Sequence, residues 1–173
     1  MYGLPTTSFF CTAIVNIIDR SGTAQPCRVL LDCGSQVNLL TEKIATLLQM
    51  KRQPVDIKII GVDGAETKVT SLVHVKVQSR SDKSTHVIEC MVMNRITGTI
   101  PANFIDVSAW PIPTNVFLAD SKFNYPQRVD MLIGVGHFFE LLKTGKLQLA
   151  QHLPYMQETS FGWVIGGLVD ASS

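Results

Sequence analysis

The chain has 173 residues, of which 46% are hydrophobic and 17% charged, a composition that supports one packed domain and excludes a chain that stays disordered. Lysine and arginine number 15 against 14 acidic residues, so no cationic excess marks a nucleic-acid or anionic-membrane partner. The most apolar run near the N-terminus, residues 9–18, is interrupted by Thr12 and Asn16 and is far too short to span a membrane.

Residues 9–18 are rich in β-branched and aromatic side chains and stop at Asp19-Arg20-Ser21-Gly22, after which residues 27–31 run apolar again. This predicts a hairpin whose second strand ends at Asp32. Leu39, Leu40, Ile44, Leu47 and Leu48 then recur at helical spacing, with Glu42 and Lys43 on the other face, predicting a helix over 38–50. Strands follow at 55–60 and 67–77, joined through Gly61-Val62-Asp63-Gly64, where Asp-Gly signals a hairpin. A polar turn at 80–84 leads to a strand over 86–93. Residues 100–127, with Pro101, Pro111, Pro113 and Pro126, read as an irregular surface excursion. Residues 129–133 form a short apolar strand ending at Gly134, with a short helix over 136–143 and a stop at Gly145. Final strands are expected at 146–149 and 161–165. No composition shift, low-complexity tract or solenoid-length repeat divides the chain, so 1–173 reads as a single domain. There is a faint internal echo: each half sets a glycine turn at the end of an apolar strand before a helix.

Leu30-Leu31-Asp32-Cys33-Gly34-Ser35 runs an apolar strand straight into Asp-x-Gly and so delivers a carboxylate onto a tight turn. Aspartic proteases work with two such carboxylates sharing a proton over one water. No second apolar-apolar-Asp-x-Gly occurs in the chain, so that chemistry requires two copies of it.

The match extends beyond the hexapeptide. Residues 30–35 lead through Gln36-Val37-Asn38 toward a helix, residues 59–64 form a hairpin tip, residues 129–134 precede a second helix, and Thr159-Ser160-Phe161-Gly162-Trp163-Val164-Ile165-Gly166-Gly167 closes the pattern. On these pieces the chain resembles the retropepsin-like aspartic proteases, and over its longer extent the protease segment of BEL/Pao-type long-terminal-repeat retrotransposon polyproteins. The resemblance implies an all-β fold with two short helices, closed by homodimerisation, with Asp32 and its symmetry mate side by side on the two-fold axis. It implies an aspartic endopeptidase that cuts its own polyprotein and requires neither metal nor cofactor. Gly34 would let the two turns approach, and Ser35 and Gln36 would contact substrate backbone. Ile60, Gly61 and Val62 would form the tip of a flap over an extended peptide, and Leu132 would wall a subsite. Cys33 departs from the family, which usually places Thr or Ser there to hydrogen-bond across the dimer. A thiol is only a weak donor, so a looser dimer is expected. The alternative is a dimerising or peptide-binding module with little or no catalysis.

Rival chemistries have less behind them. Gly134-x-Gly136 lacks the third glycine of a dinucleotide turn, Phe139 standing in its place. Asp130 has no following glycine at the right spacing and reads as a polar residue at a strand edge. His74, His86, His137 and His152 show no ligand spacing. Ser35 and Ser160 lack a Gly-x-Ser-x-Gly frame, and Cys33 beside an acid is a poor thiol nucleophile. Trp110, Trp163 and the Phe138-Phe139 pair read as core or interface anchors. Cys11, Cys27, Cys33 and Cys90 show no Cys-x-x-Cys pairing. Without a basic leader, this predicts free thiols in a reducing compartment, the cytoplasm or a virus-like particle. An unrelated β-rich binding domain with a chance Asp-x-Gly turn is the remaining reading.

Overall fold

A strand buries every second side chain, and in the computed structural model, which describes residues 7–170, that period lines the inside of a barrel. Strands β1 (Thr7–Phe9), β2 (Thr12–Ile18), β3 (Ala24–Leu31) and β4 (Leu39–Thr41) precede helix α1 (Glu42–Leu47). Strands β5 (Gln53–Ile60), β6 (Glu66–Gln78), β7 (Thr85–Met93) and β8 (Met131–Ile133) lead to helix α2 (Val135–Leu141). Strands β9 (Leu142–Gln148), β10 (Tyr155–Thr159) and β11 (Gly162–Val169) complete the order. The β-rich class with two short helices is therefore the one observed.

Seven strands pair in the order β2-β3-β8-β4-β7-β6-β5, and a further pairing of β2 with β6 closes the first six into a ring, leaving β5 as an extension of β6. Ala13, Val15 and Ile17 of β2 point into the ring, as do Cys27, Val29 and Leu31 of β3 and Val73, Val75 and Val77 of β6. The alternation of Val73 through Val77 is thus the pleat of one strand, with His74 and Lys76 facing outward. A four-stranded sheet, β1-β11-β10-β9, packs on a second core of Phe9, Phe123, Met156 and Ile165.

Two expectations about helices need correction. The first helix starts at Glu42, because Leu39–Thr41 is a strand held between β7 and β8, pairing Leu39 with Met91 and Leu132 and Leu40 with Val92 and Met131. Of the residues at that spacing Leu40, Ile44 and Leu48 are buried, whereas Leu47 is exposed. Tertiary pairing decided the backbone of Leu39–Thr41. The second helix starts one residue earlier than expected, at Val135, and ends at Leu141, where β9 begins at once. Strands β4 and β10 were not anticipated, and the expected strand over 9–18 is divided, with β1 pairing to β11 and β2 to β3.

The segment 100–127 contains no named strand, as expected, but it has an interior of its own. Phe123, Ala119, Asp120 and Asn124 are buried, and Trp110 packs edge-on against Phe9 at a ring separation of 5.6 Å. Its anchor is Arg28. The residues on either side of Arg28 point into the barrel, so Arg28 points out, beneath the excursion. Its guanidinium donates to Asp120 Oδ2 at 2.8 Å and to the carbonyls of Ile100 and Gln127 at 2.7 and 2.8 Å. Thr12 Oγ1 donates to the same carboxylate oxygen at 2.8 Å, and the Lys122 N–H donates to Asp120 Oδ1 at 3.0 Å. Both ends and the middle of the excursion thus close on one cation. The Arg28 and Asp120 side chains are 5% and 2% exposed, and every charge is met by several partners.

Removing one member of such a buried pair strands the other, at a cost of about 3–5 kcal/mol. Arg28→Ala and Asp120→Ala should each lower stability to urea by that order. The double replacement Arg28→Met with Asp120→Leu, which removes both charges, should cost much less than the two single changes added together.

Candidate active site

The position of Asp32 follows from the neighbours of β8. Strand β8 lies parallel to β3, with Leu30 opposite Leu132 and Leu31 opposite Ile133, so the C-terminal ends of both strands emerge side by side. The Asp32 N–H continues the ladder by donating to the Ile133 carbonyl at 2.9 Å. On its other side β8 pairs antiparallel with β4. A chain leaving β3 at Asp32 must therefore pass over the end of β8 before returning in β4.

Gly134 sits under that crossing. A Cβ there would lie 2.5 Å from the Val37 carbonyl oxygen and 2.6 Å from that of Ser35, so only glycine fits without displacing the loop. The Gly134 N–H donates to Asn38 Oδ1 at 2.8 Å, and the Val135 N–H donates to the Ser35 carbonyl at 2.8 Å. Asn38 Nδ2 donates in turn to the Glu89 carbonyl on β7 at 3.1 Å. Asn38 thus ties the loop to two strands.

Within the loop, the Gly34 N–H donates to Asp32 Oδ1 at 2.9 Å and the Ser35 N–H to the Asp32 carbonyl at 3.3 Å. The Ser35 hydroxyl donates to the Val37 carbonyl at 2.9 Å. Gly34 is not among the left-handed glycines of the chain. Its lack of a side chain matters because a Cβ would stand 3.2 Å from Asp32 Oδ1. Asp32 is half-buried, and its Oδ2 has no hydrogen-bond partner among the described residues. Cys33, Gly34 and Gln36 are exposed, and Ser35 is half-buried.

The remaining expected site residues lie in two places. Ile60, Gly61 and Val62 occupy the tip of the β5–β6 hairpin, where the Gly61 N–H donates to Ala65 and the Gly64 N–H to Gly61, both at 2.9 Å. Gly64 adopts a φ of 79°, which glycine supplies at no steric cost. Ile60 and Val62 are exposed apolar side chains. No hydrogen bond joins this tip to the Asp32 loop among the described residues. Leu132 lies beside Leu30 in the ladder and is 6% exposed, packed in a small cluster with Leu30 and Val129. Its side chain serves that packing and offers little surface to a ligand.

Asn38, Gly134 and Asp130 were not singled out as site residues. The glycine at a strand end was visible, but its contact with a loop a hundred residues earlier was not. Asp130 accepts a hydrogen bond from Thr41 Oγ1 at 3.0 Å, and its carbonyl accepts the Thr41 N–H at 2.9 Å, fixing the end of β4.

Thiol chemistry has little support away from Cys33. Burial, reinforced by the neighbouring Cys33, pushes the Cys11 thiol up to about 11. Burial likewise raises Cys27, and it raises Cys90 to about 12, so these three stay protonated at neutral pH. No group of three or more His, Cys, Asp or Glu side chains among the described residues could hold a metal ion. No helix among them is long and apolar enough to cross a membrane.

A scan against protein-family models finds no match to the chain, and a search of curated proteins finds no similar sequence.

Filling the space under the crossing should disturb the loop that carries Asp32. Gly134→Ala is expected to destabilise the protein by about 1–3 kcal/mol, the usual cost of overpacking. Gly136→Ala, two residues on, where a Cβ meets nothing within 4 Å, should be neutral or mildly stabilising within α2. Urea denaturation of the two variants side by side checks the contrast.

Proposed function

We propose that this chain is one protomer of a homodimeric, retropepsin-like aspartic endopeptidase in which Asp32 is the catalytic residue and the substrate is an extended polypeptide, its own polyprotein. The observation that carries the reading is the state of the Asp32 carboxylate: half-buried on a braced strand-end turn, with Oδ1 held by the Gly34 N–H and Oδ2 free. A carboxylate so held, with one oxygen open, suits one half of an acid-base pair.

Two copies related by a two-fold axis through this turn bring their Asp32 side chains together. Repulsion between adjacent carboxylates raises one pKa, so the pair holds one proton between them. The ionised member takes a proton from a bridging water as that water attacks the scissile carbonyl. The protonated member hydrogen-bonds the developing oxyanion. The β5–β6 hairpin, with Ile60 and Val62 exposed at its end, is suited to closing over a peptide and excluding solvent. A peptide lying extended between hairpin and turn would gain affinity from main-chain hydrogen bonds.

Cys33 favours the second reading, a dimerising or peptide-binding module with little turnover. It is exposed and offers a weak S–H donor where a hydroxyl would bind across the dimer. The two readings differ in whether peptide is cut.

Asp32→Asn should abolish cleavage of a fused precursor, and a statine peptide should block cleavage by the unaltered chain. Cleavage that persists unchanged in Asp32→Asn removes this residue from the mechanism; peptide binding without cleavage at any pH selects the second reading. Cys33→Thr should tighten the dimer by about 1–3 kcal/mol, two hydrogen bonds at about 0.5–1.5 kcal/mol each, read from the dissociation constant in sedimentation equilibrium.

A further inference from the structure

Strand β6 has two partners along one edge. Strand β5 follows it as far as Leu72, paired with Gln53, and β2 joins it from Lys76, paired with Ile18. Between these points, over residues 73–75, neither strand pairs with it. There β2 and β5 diverge, and the wedge between them opens into a cleft of about 800 Å³. Ile18, Met50 and Pro54 supply apolar lining, and His74 and Lys76 project from the outer face of β6.

The charges around the cleft are unevenly compensated. Arg52 is paired with Glu42 at 2.7 Å, and His74 lies 3.3 Å from Glu89. Asp19 is the carboxylate lining the cleft, and its Oδ1 accepts from the backbone N–H groups of Ser21 and Thr23 and the Ser21 hydroxyl. Arg20, Lys51 and Lys76 line the same cleft, and none of their side chains has an ion-pair or hydrogen-bond partner among the described residues. Neutral donors leave the Asp19 charge in place, so three unpaired cations stand against one carboxylate, and in a chain whose formal net charge is +1 that local cationic excess is a field for an anionic partner.

The lining narrows the partner further. No Phe, Tyr or Trp lines the cleft, and its one ring, the His74 imidazole, lies against Glu89, so the broad stacking platforms on which nucleobases are held are missing there. The cleft combines an apolar wall with a cationic rim, which suits a carboxylate-bearing peptide with an apolar side chain to bury. It opens at the end of β3 remote from Asp32. The eight residues of that strand, at about 3.3 Å each, separate the two by roughly 26 Å.

We propose that this wedge is a docking site for an acidic polypeptide segment carrying an apolar anchor, distinct from the Asp32 site and independent of its chemistry. The segment would seat its apolar residue against Ile18 and Met50 and its carboxylates against Arg20, Lys51 and Lys76.

The test uses the full chain carrying Asp32→Asn, so that neither the result nor the probe depends on cleavage. A fluorescein-labelled peptide of alternating Glu and Leu is titrated and followed by polarisation. Saturable binding that weakens with added salt, falls about tenfold or more in Lys51→Glu with Lys76→Glu, and falls again when Leu is replaced by Ser supports the site. A second variant, Lys83→Glu with Lys146→Glu, changes net charge by the same amount outside the cleft and should bind as the parent does. Absence of saturable binding overturns the proposal, as does equal loss in the control. A single-stranded oligonucleotide that displaces the peptide and binds more tightly would also overturn it and give the cleft to nucleic acid.

Discussion

The insertion of β8 between β3 and β4 is the constraint from which the rest of the site follows. It makes β3 and β8 parallel neighbours, so two strand ends and the turns leaving them occupy the same place. It forces residues 32–38 across the end of β8, and that crossing is possible because Gly134 has no side chain to meet the Ser35 and Val37 carbonyls. Buried backbone groups demand partners. At the crossing they find them in Asn38 and in the Ser35 carbonyl. A half-exposed carboxylate is thereby carried on a loop whose main chain is fixed at several points by ordered strands. Placing a functional group on braced backbone is how a site keeps its geometry without being buried itself.

The same strand solves a second problem on its outer face. Val29 and Leu31 fill the barrel, while Arg28, between Cys27 and Val29, must point away from it. Left in solvent, that side chain would stabilise little. Under the excursion its guanidinium becomes a clamp, with Asp120, Ile100, Gln127 and the Thr12 hydroxyl as acceptors. This arrangement explains how a proline-rich segment without regular strands keeps a defined course. Hydrophobic packing by Phe123 and Trp110 against Phe9 fills its interior, while one guanidinium sets where it begins and ends.

Much of this was legible in the residues, and the failures share one cause. The hairpin between β2 and β3, the Asp-Gly turn at 61–64, the alternation along β6 and the glycine turn after β8 are all written in local pattern, because period, turn chemistry and backbone preference act within a few residues. Leu39–Thr41 carries a helical leucine spacing and yet forms β4, since two flanking strands offer it backbone partners that a helix would forgo. The clamp at Arg28 was unreadable for a similar reason. Its partners lie 92 residues away at Asp120 and 72 and 99 away at Ile100 and Gln127, and no local signal connects them. Asp32 stood out because its chemistry is announced by its neighbours in sequence, whereas Asn38 and Gly134, which hold it in place, act through contacts across 96 residues.

The open Oδ2 of Asp32 is the feature on which the proposed dimer turns. A carboxylate that served as a turn residue alone would need little more than the Gly34 N–H it already has, and such Asp-Gly turns are common at strand ends. Here the loop is also held by interactions that do not involve the carboxylate: the Ile133 carbonyl receives the Asp32 N–H, and Gly134 and Val135 secure the loop beyond it. One carboxylate oxygen serves the turn through the Gly34 N–H, and Oδ2 has no such duty. In the proposed dimer this turn would meet an identical turn. In that proposed dimer the exposed Cys33 would adjoin the axis, so the strength of the pairing and the sharing of a proton would be set within a few residues of one another. On that reading, a change that loosens the pairing of the two turns would also separate the two acids, and with them the shared proton that the proposed chemistry requires.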